Sequence, residues 1–212
     1  MHRRIPHSIV SLALAAALVA VASPDLFAQE RGYLGGSAGI TFGTETAPFF
    51  AGEIGAHVTD DLVVYGSVGR MNNVLPGSVQ DALDVASTLL TIATGARWEF
   101  SATAPAFFGV GGVRYLLPTG EGARPYVQGG IGFANVSLNI EEVDFGDVTS
   151  QLVRAGYLDD DSIAKLAFEF GGGVYVPAGE RLFVDVGYRF MKLVDAEDVN
   201  VSRAYGAVGV RF

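Results

Sequence analysis

From residue 32 onward the apolar positions recur at every second residue, in segments of about ten. Leu34, Gly36, Ala38, Ile40 and Phe42 share one face of 32–43, with Tyr33, Gly35, Ser37, Gly39 and Thr41 on the other. The same alternation sets Phe50, Ile54 and Val58 against Ala51, Glu53, Gly55 and His57. It sets Leu182, Val184, Val186, Tyr188 and Phe190 against Phe183, Asp185, Gly187 and Arg189. Period two is the signature of a β-strand with unlike faces. A soluble sandwich would carry Lys, Thr and Glu on its wet face, whereas here the second face is mostly Gly, Ala and Ser with isolated charges. Small residues with a few large ones suit the crowded inside of a narrow closed barrel, with lipid on the apolar side.

The pattern predicts strands at about 32–43, 48–58, 62–71, 97–117, 124–140, 163–177, 180–193 and 203–212. Tight connections rich in Gly, Pro and Asp fall at 59–61, 118–123 and 177–180. They alternate with Thr44–Ala47 and with longer connections near 72–96, 141–162 and 194–202. That asymmetry matches short periplasmic turns and long outer loops. Within 76–93, Val79, Leu83, Ala86, Leu90 and Ala93 recur at helical steps opposite Gln80, Asp81 and Asp84. The predicted fold is therefore all-β, a closed antiparallel eight-stranded transmembrane barrel with a short helix in the second outer loop. A ten-strand barrel, with another strand inside 141–162, is the alternative. Tyr33, Phe42, Tyr115, Tyr126, Tyr188, Phe190 and Phe212 lie near strand ends, where interfacial girdles are expected.

Residues 1–28 follow a different rule. Arg3 and Arg4 precede a fourteen-residue apolar stretch from Ile9 to Ala22, too short for a spanning helix of about 20 residues. This reads as a secretory signal cleaved after Ala28, or after Ala22, leaving 29–212 as the barrel domain. Composition narrows the function further. The chain has 28 Gly, no Cys, half of its residues apolar and a net charge of −9, which becomes −10 once 1–28 is removed. Such a charge excludes a nucleic-acid surface, and the missing Cys excludes thiolate catalysis and Cys-ligated zinc.

The last strand, Tyr205-Gly206-Ala207-Val208-Gly209-Val210-Arg211-Phe212, ends on an aromatic after alternating apolar residues. With the hairpin Val113–Gly120 and Arg124–Val127, it resembles the small outer-membrane β-barrel family, OmpA/OmpX-like and porin-like in architecture. The resemblance covers nearly all of 30–212. It implies the outer membrane of a Gram-negative-type cell, and a C-terminal signal (Tyr205, Val208, Val210, Phe212) read by the barrel-assembly machinery. It implies contact with outer-membrane lipid and lipopolysaccharide, in a monomer, and leaves the role open.

Parity places Glu53, Arg114, Glu169, Asp185, Arg189 and Arg211 on the inward face. Two roles compete for this set: a static network that fills the lumen, which is favoured, and a salt-bridge gate of a narrow channel for ions or small solutes. Lipid-modifying enzymes of similar barrel size use a histidine near the outer leaflet. Here His57 is the single histidine after residue 28, and it precedes a periplasmic turn. The expected function is accordingly non-enzymatic, structural or surface-interacting, without a cofactor. Asp159, Asp160 and Asp161, with Glu141, Glu142, Asp144 and Asp147 nearby, form a calcium candidate whose commoner explanation is a solvated loop. The apolar face of 76–93 is expected to lie over the barrel mouth as a lid.

Overall fold

A computed structural model of the chain describes residues 32–42, 46–75, 77–95, 97–119, 122–142, 146–147, 164–194 and 199–212. The segments 1–28 and 159–161, with their signal and calcium expectations, lie outside the described residues.

Eight strands close on themselves: β1 (Gly32–Phe42), β2 (Ala47–His57), β3 (Leu62–Met71), β5 (Ala106–Leu116), β6 (Arg124–Val136), β9 (Ala164–Ala178), β10 (Leu182–Val194) and β11 (Val199–Arg211). All pairs are antiparallel between sequential neighbours, and β1 closes the ring on β11 with Leu34 opposite Val210. The wall thus has no open edge, as a sheet in hydrocarbon must not. Short turns gather at one end of the barrel; at the other the β3–β5 and β6–β9 connections are long, while β1–β2 and β10–β11 are joined by four residues each, so the long connection expected at 194–202 is short.

Alternation turns the barrel inside out relative to a soluble domain. Val68 and Val208 on the wall are 63% and 65% exposed, and Leu34, Phe50, Val127, Ile131, Phe170 and Val184 are exposed with them. A continuous exposed apolar wall of this extent is a lipid-facing surface. Inward glycines let neighbouring strands pack closely. A Cβ added at Gly132 would stand 1.9 Å from the Gly109 carbonyl oxygen, and one at Gly39 2.0 Å from that of Ala204.

Three further expectations need correction. The stretch 97–117 is not one strand: Ala104-Pro105 breaks it into β4 (Phe100–Thr103) and β5. Pro105 has no N–H to give a ladder, and Ala104 instead donates to the Asn73 side chain at 3.0 Å and accepts from Val74 at 2.8 Å. Likewise 124–140 divides into β6 and β7 (Asn139–Glu142), which pairs with β4 and with β8 (Gly146–Asp147) in a separate three-stranded sheet. That sheet stands outside the ring, so among the described residues the barrel has eight strands and not ten. The last strand starts at Val199, four residues earlier than its alternation suggested.

The helix, α1, runs from Gly77 to Thr94 between β3 and β4. Val79 and Leu83 pack against the buried cluster at the loop end of the barrel. Trp98 anchors its far end, receiving a bond from Ser87 through its carbonyl and donating its indole N–H to Thr94 at 2.9 Å. Leu90 and Ala93, expected on the packed side, are exposed, and Val85, Leu89 and Ile92 form a second apolar stripe facing outward.

Candidate functional site

The inward side chains form three layers along the barrel axis. At the short-turn end Tyr33, Val63, Leu116, Tyr126, Tyr175 and Phe183 make a buried aromatic floor. Phe183 lies 5.4 Å from Tyr33 and 5.1 Å from Tyr175, ring centre to ring centre. At the loop end Phe49, Met71, Phe108, Met191, Leu193 and Val201 make an apolar roof, with Val74, Leu75 and Ile140 above. Between floor and roof lie the charges.

Glu53 sits at the centre of the charged layer, on β2. It accepts from Arg114 at 2.7 Å, from Arg189 at 2.6 Å and from the Tyr33 hydroxyl at 2.7 Å. Glu169, fully buried on β9, accepts from Arg203, from Gln128 at 3.1 Å and from Tyr65 at 3.2 Å, with Arg189 at 3.5 Å. Asp185 on β10 accepts from Tyr126 at 2.8 Å and faces Arg114 at 3.4 Å. Tyr126 and Tyr205 share a hydrogen bond between hydroxyls, and Arg189 reaches the Tyr205 oxygen at 3.1 Å. The arginines also lie over rings: Arg114 over Tyr126 at 4.3 Å, Arg189 over Tyr205 at 4.6 Å, and Arg203 over Phe108 at 4.4 Å.

Three carboxylates thus meet three guanidiniums, and the layer is formally neutral. Burying an unpaired charge costs several kcal/mol, whereas paired and hydrogen-bonded charges largely offset their own desolvation. The layer therefore fixes which strand faces which, because a one-residue slip of any of these strands would turn its own charged groups toward lipid and strand their partners inside. Among the described residues the aromatic floor lies on one side of the layer and the apolar roof on the other. An eight-stranded interior is just wide enough to be filled by its own side chains, and among the described residues the floor, the roof and nearly all of the charged layer are buried.

Five of the six residues expected in the lumen, Glu53, Arg114, Glu169, Asp185 and Arg189, are brought together here. Arg211 is not. It shares their parity but lies at the barrel's end, where it donates to the carbonyls of Gly179 at 2.7 Å and Glu180 at 2.9 Å and closes the β9–β10 turn. Arg203, Gln128 and Tyr65 complete the layer without having been expected there, although each has inward parity. Tyr33 and Tyr126 are buried in the lumen rather than set in a girdle, while Phe42, Tyr115, Tyr188, Phe190 and Phe212 face outward. Of the four C-terminal signal positions, Val208, Val210 and Phe212 face lipid and Tyr205 faces inward. His57 ends β2 at the short-turn end, with its ring 6.4 Å from that of Tyr33.

A family model described as outer membrane protein beta-barrel domain matches residues 11–212. No curated protein matches the sequence. Among solved structures, Neisserial surface protein A is similar with a TM-score of 0.56 at 11% identity, over 87% of this chain and 98% of its own. A major outer membrane protein from Thermus thermophilus gives 0.52 at 11% identity, over 85% and 99%. The N-terminal barrel domain of Pseudomonas aeruginosa OprF gives 0.49 at 16% identity, over 85% and 97%. At such identities the likeness is one of fold.

Proposed function

The chain belongs to the outer membrane protein beta-barrel domain family, and on that premise we propose that it is a sealed, non-enzymatic barrel of the outer membrane. In this proposal the barrel is exported through a cleaved signal at 1–28, spans the membrane as a structural element, and serves the envelope or its surroundings through its outer face. One observation carries the proposal: among the described residues the charged layer lies between an aromatic floor and a largely apolar roof, an arrangement that disfavours a continuous polar path for solute. Among the described residues the outer face carries α1, pinned by Val79 and Leu83, and the sheet of β4, β7 and β8. This is a built surface rather than a set of bare turns, which supports a surface role. His57 lies at the opposite end from these loops, which argues against histidine chemistry at the outer leaflet.

Isosmotic swelling of liposomes carrying the refolded mature protein tests the proposal. With arabinose outside, swelling should match protein-free liposomes. Swelling well above that background would establish the channel alternative instead. Incubation with radiolabelled lipopolysaccharide should release no acyl chain, and any protein-dependent release would refute the non-enzymatic part.

A further inference from the structure

We propose that Arg70, held between Phe50 and Phe107 on the lipid-facing wall, docks the phosphate of one outer-leaflet glycolipid. The proposal rests on the outer-membrane placement above, and not on the sealed lumen.

Arg70 is the penultimate residue of β3. Its neighbour Met71 is fully buried in the lumen, so parity turns Arg70 outward, and it is exposed. Across the sheet it pairs with Phe50 on β2 and Phe107 on β5, and Phe107 pairs in turn with Asn135 on β6. One row over four strands therefore reads Phe50, Arg70, Phe107, Asn135, all outward at the loop end of the barrel. Both phenylalanines are 60% exposed. The guanidinium carbon of Arg70 stands 5.2 Å from the Phe107 ring centre. Directly beneath, toward mid-membrane, Val68 is bare.

A cation on the lipid face is tolerated near the interface and penalised toward the midplane. Among the described residues Arg70 has no carboxylate partner, so its five N–H donors face the membrane boundary with only a ring alongside. The planar fork of arginine matches phosphate oxygens two at a time. Flanking rings exclude water from the contact and strengthen it. Arg70 is one residue from the loop end of β3 and is flanked by two phenylalanines, the strand-end setting of an interfacial aromatic girdle where headgroup phosphates are met. Charge complementarity selects this row rather than the loop above it. There is no Lys or Arg between residues 71 and 96, and α1 carries Asp81 and Asp84, which repel an anionic headgroup. Asn135 offers an amide donor to the same headgroup.

Native mass spectrometry of the folded mature protein in neutral detergent tests the proposal, with diphosphoryl lipid A and its dephosphorylated form as probes. The wild type should retain one diphosphoryl lipid A, about tenfold more tightly than the dephosphorylated lipid, as expected for one charge-assisted contact. Arg70→Gln should lose that preference, Arg70→Lys should keep only part of it because an ammonium lacks the planar fork, and Arg97→Gln, at a loop arginine paired with Glu99, should leave it unchanged. Equal retention of the two lipids by the wild type, or unchanged preference in Arg70→Gln, would overturn the proposal. Where Arg70→Gln does not fold, Arg70→Met, which keeps an apolar stem beside Phe107, takes its place in the same comparison. A wild type that shows no heat-sensitive folded band in bilayers would instead count against the outer-membrane placement.

Discussion

Glu169→Gln removes the one carboxylate that Arg203 contacts among the described residues and leaves a guanidinium that is 1% exposed inside the barrel. Removing one partner of a buried ion pair costs about 3–5 kcal/mol, because the survivor keeps its full desolvation penalty. The structure also supplies the compensating change. The Arg203 guanidinium lies over Phe108 at 4.4 Å and Phe49 at 5.3 Å, and its Nε has no hydrogen-bond partner among the described residues. Methionine at 203 would place a thioether on the same two rings and extend the apolar roof. The double variant Glu169→Gln/Arg203→Met keeps the layer neutral, because one carboxylate and one guanidinium leave together. Its cost should be about 1 kcal/mol or less, since a buried pair exchanged for apolar packing is often neutral. The coupling between the two sites is then about 3 kcal/mol or more. Equilibrium urea unfolding of the protein in lipid vesicles, read by the heat-sensitive folded band, measures all four corners of the cycle. Additive single effects, or a Glu169→Gln cost below about 1 kcal/mol, would refute the view that neutrality of the layer is what the pair maintains.

Gly132→Ala should abolish the folded band, because its Cβ would meet the backbone oxygen of Gly109, whereas Gly52→Ala, with nothing within 4 Å, should fold as the wild type does. Tyr126→Phe removes hydrogen bonds to Asp185 and Tyr205 and should cost about 1–3 kcal/mol in the same urea assay. A change below a few tenths of that would place the hydroxyl outside the network. Arg124→Ala breaks a partly exposed pair with Asp61 that joins two turns, and should cost about 1 kcal/mol or less. A larger loss would mean that the Arg124 bond to the Asp60 carbonyl holds the turn end together.

Parity was the legible part of the sequence. A single rule, that every second residue faces the same way, placed Glu53, Glu169, Asp185 and Arg189 inward before any distance was known. The rule failed where residue type was allowed to override it. Tyr33 and Tyr126 are tyrosines near strand ends and so look like girdle residues, yet both sit on the glycine-rich face, and their hydroxyls bind Glu53 and Asp185. Arg203 carries the same parity as Arg211, and sequence alone does not say which lies deep in the barrel. The depth follows from β11 starting at Val199, which moves Arg203 into the wall and leaves Arg211 at the rim.

The outer structure was less legible for a different reason. β4 spans four residues and pairs with β7 almost forty residues later, so neither strand is long enough to show a period. Helix α1 was visible through its three- and four-residue spacing, but it is apolar on two sides. Val79 and Leu83 pack inward while Val85, Leu89 and Ile92 face out, and composition does not distinguish them.

Single-channel recording of the refolded mature protein in a planar bilayer tests the central claim, that floor and roof seal the charged layer. The account predicts a folded barrel with no unitary steps, and the same silence in Glu53→Ala and Arg114→Ala variants that still fold. Discrete steps in the wild type, or steps that appear when either charge is removed, would contradict it and make the layer a gate.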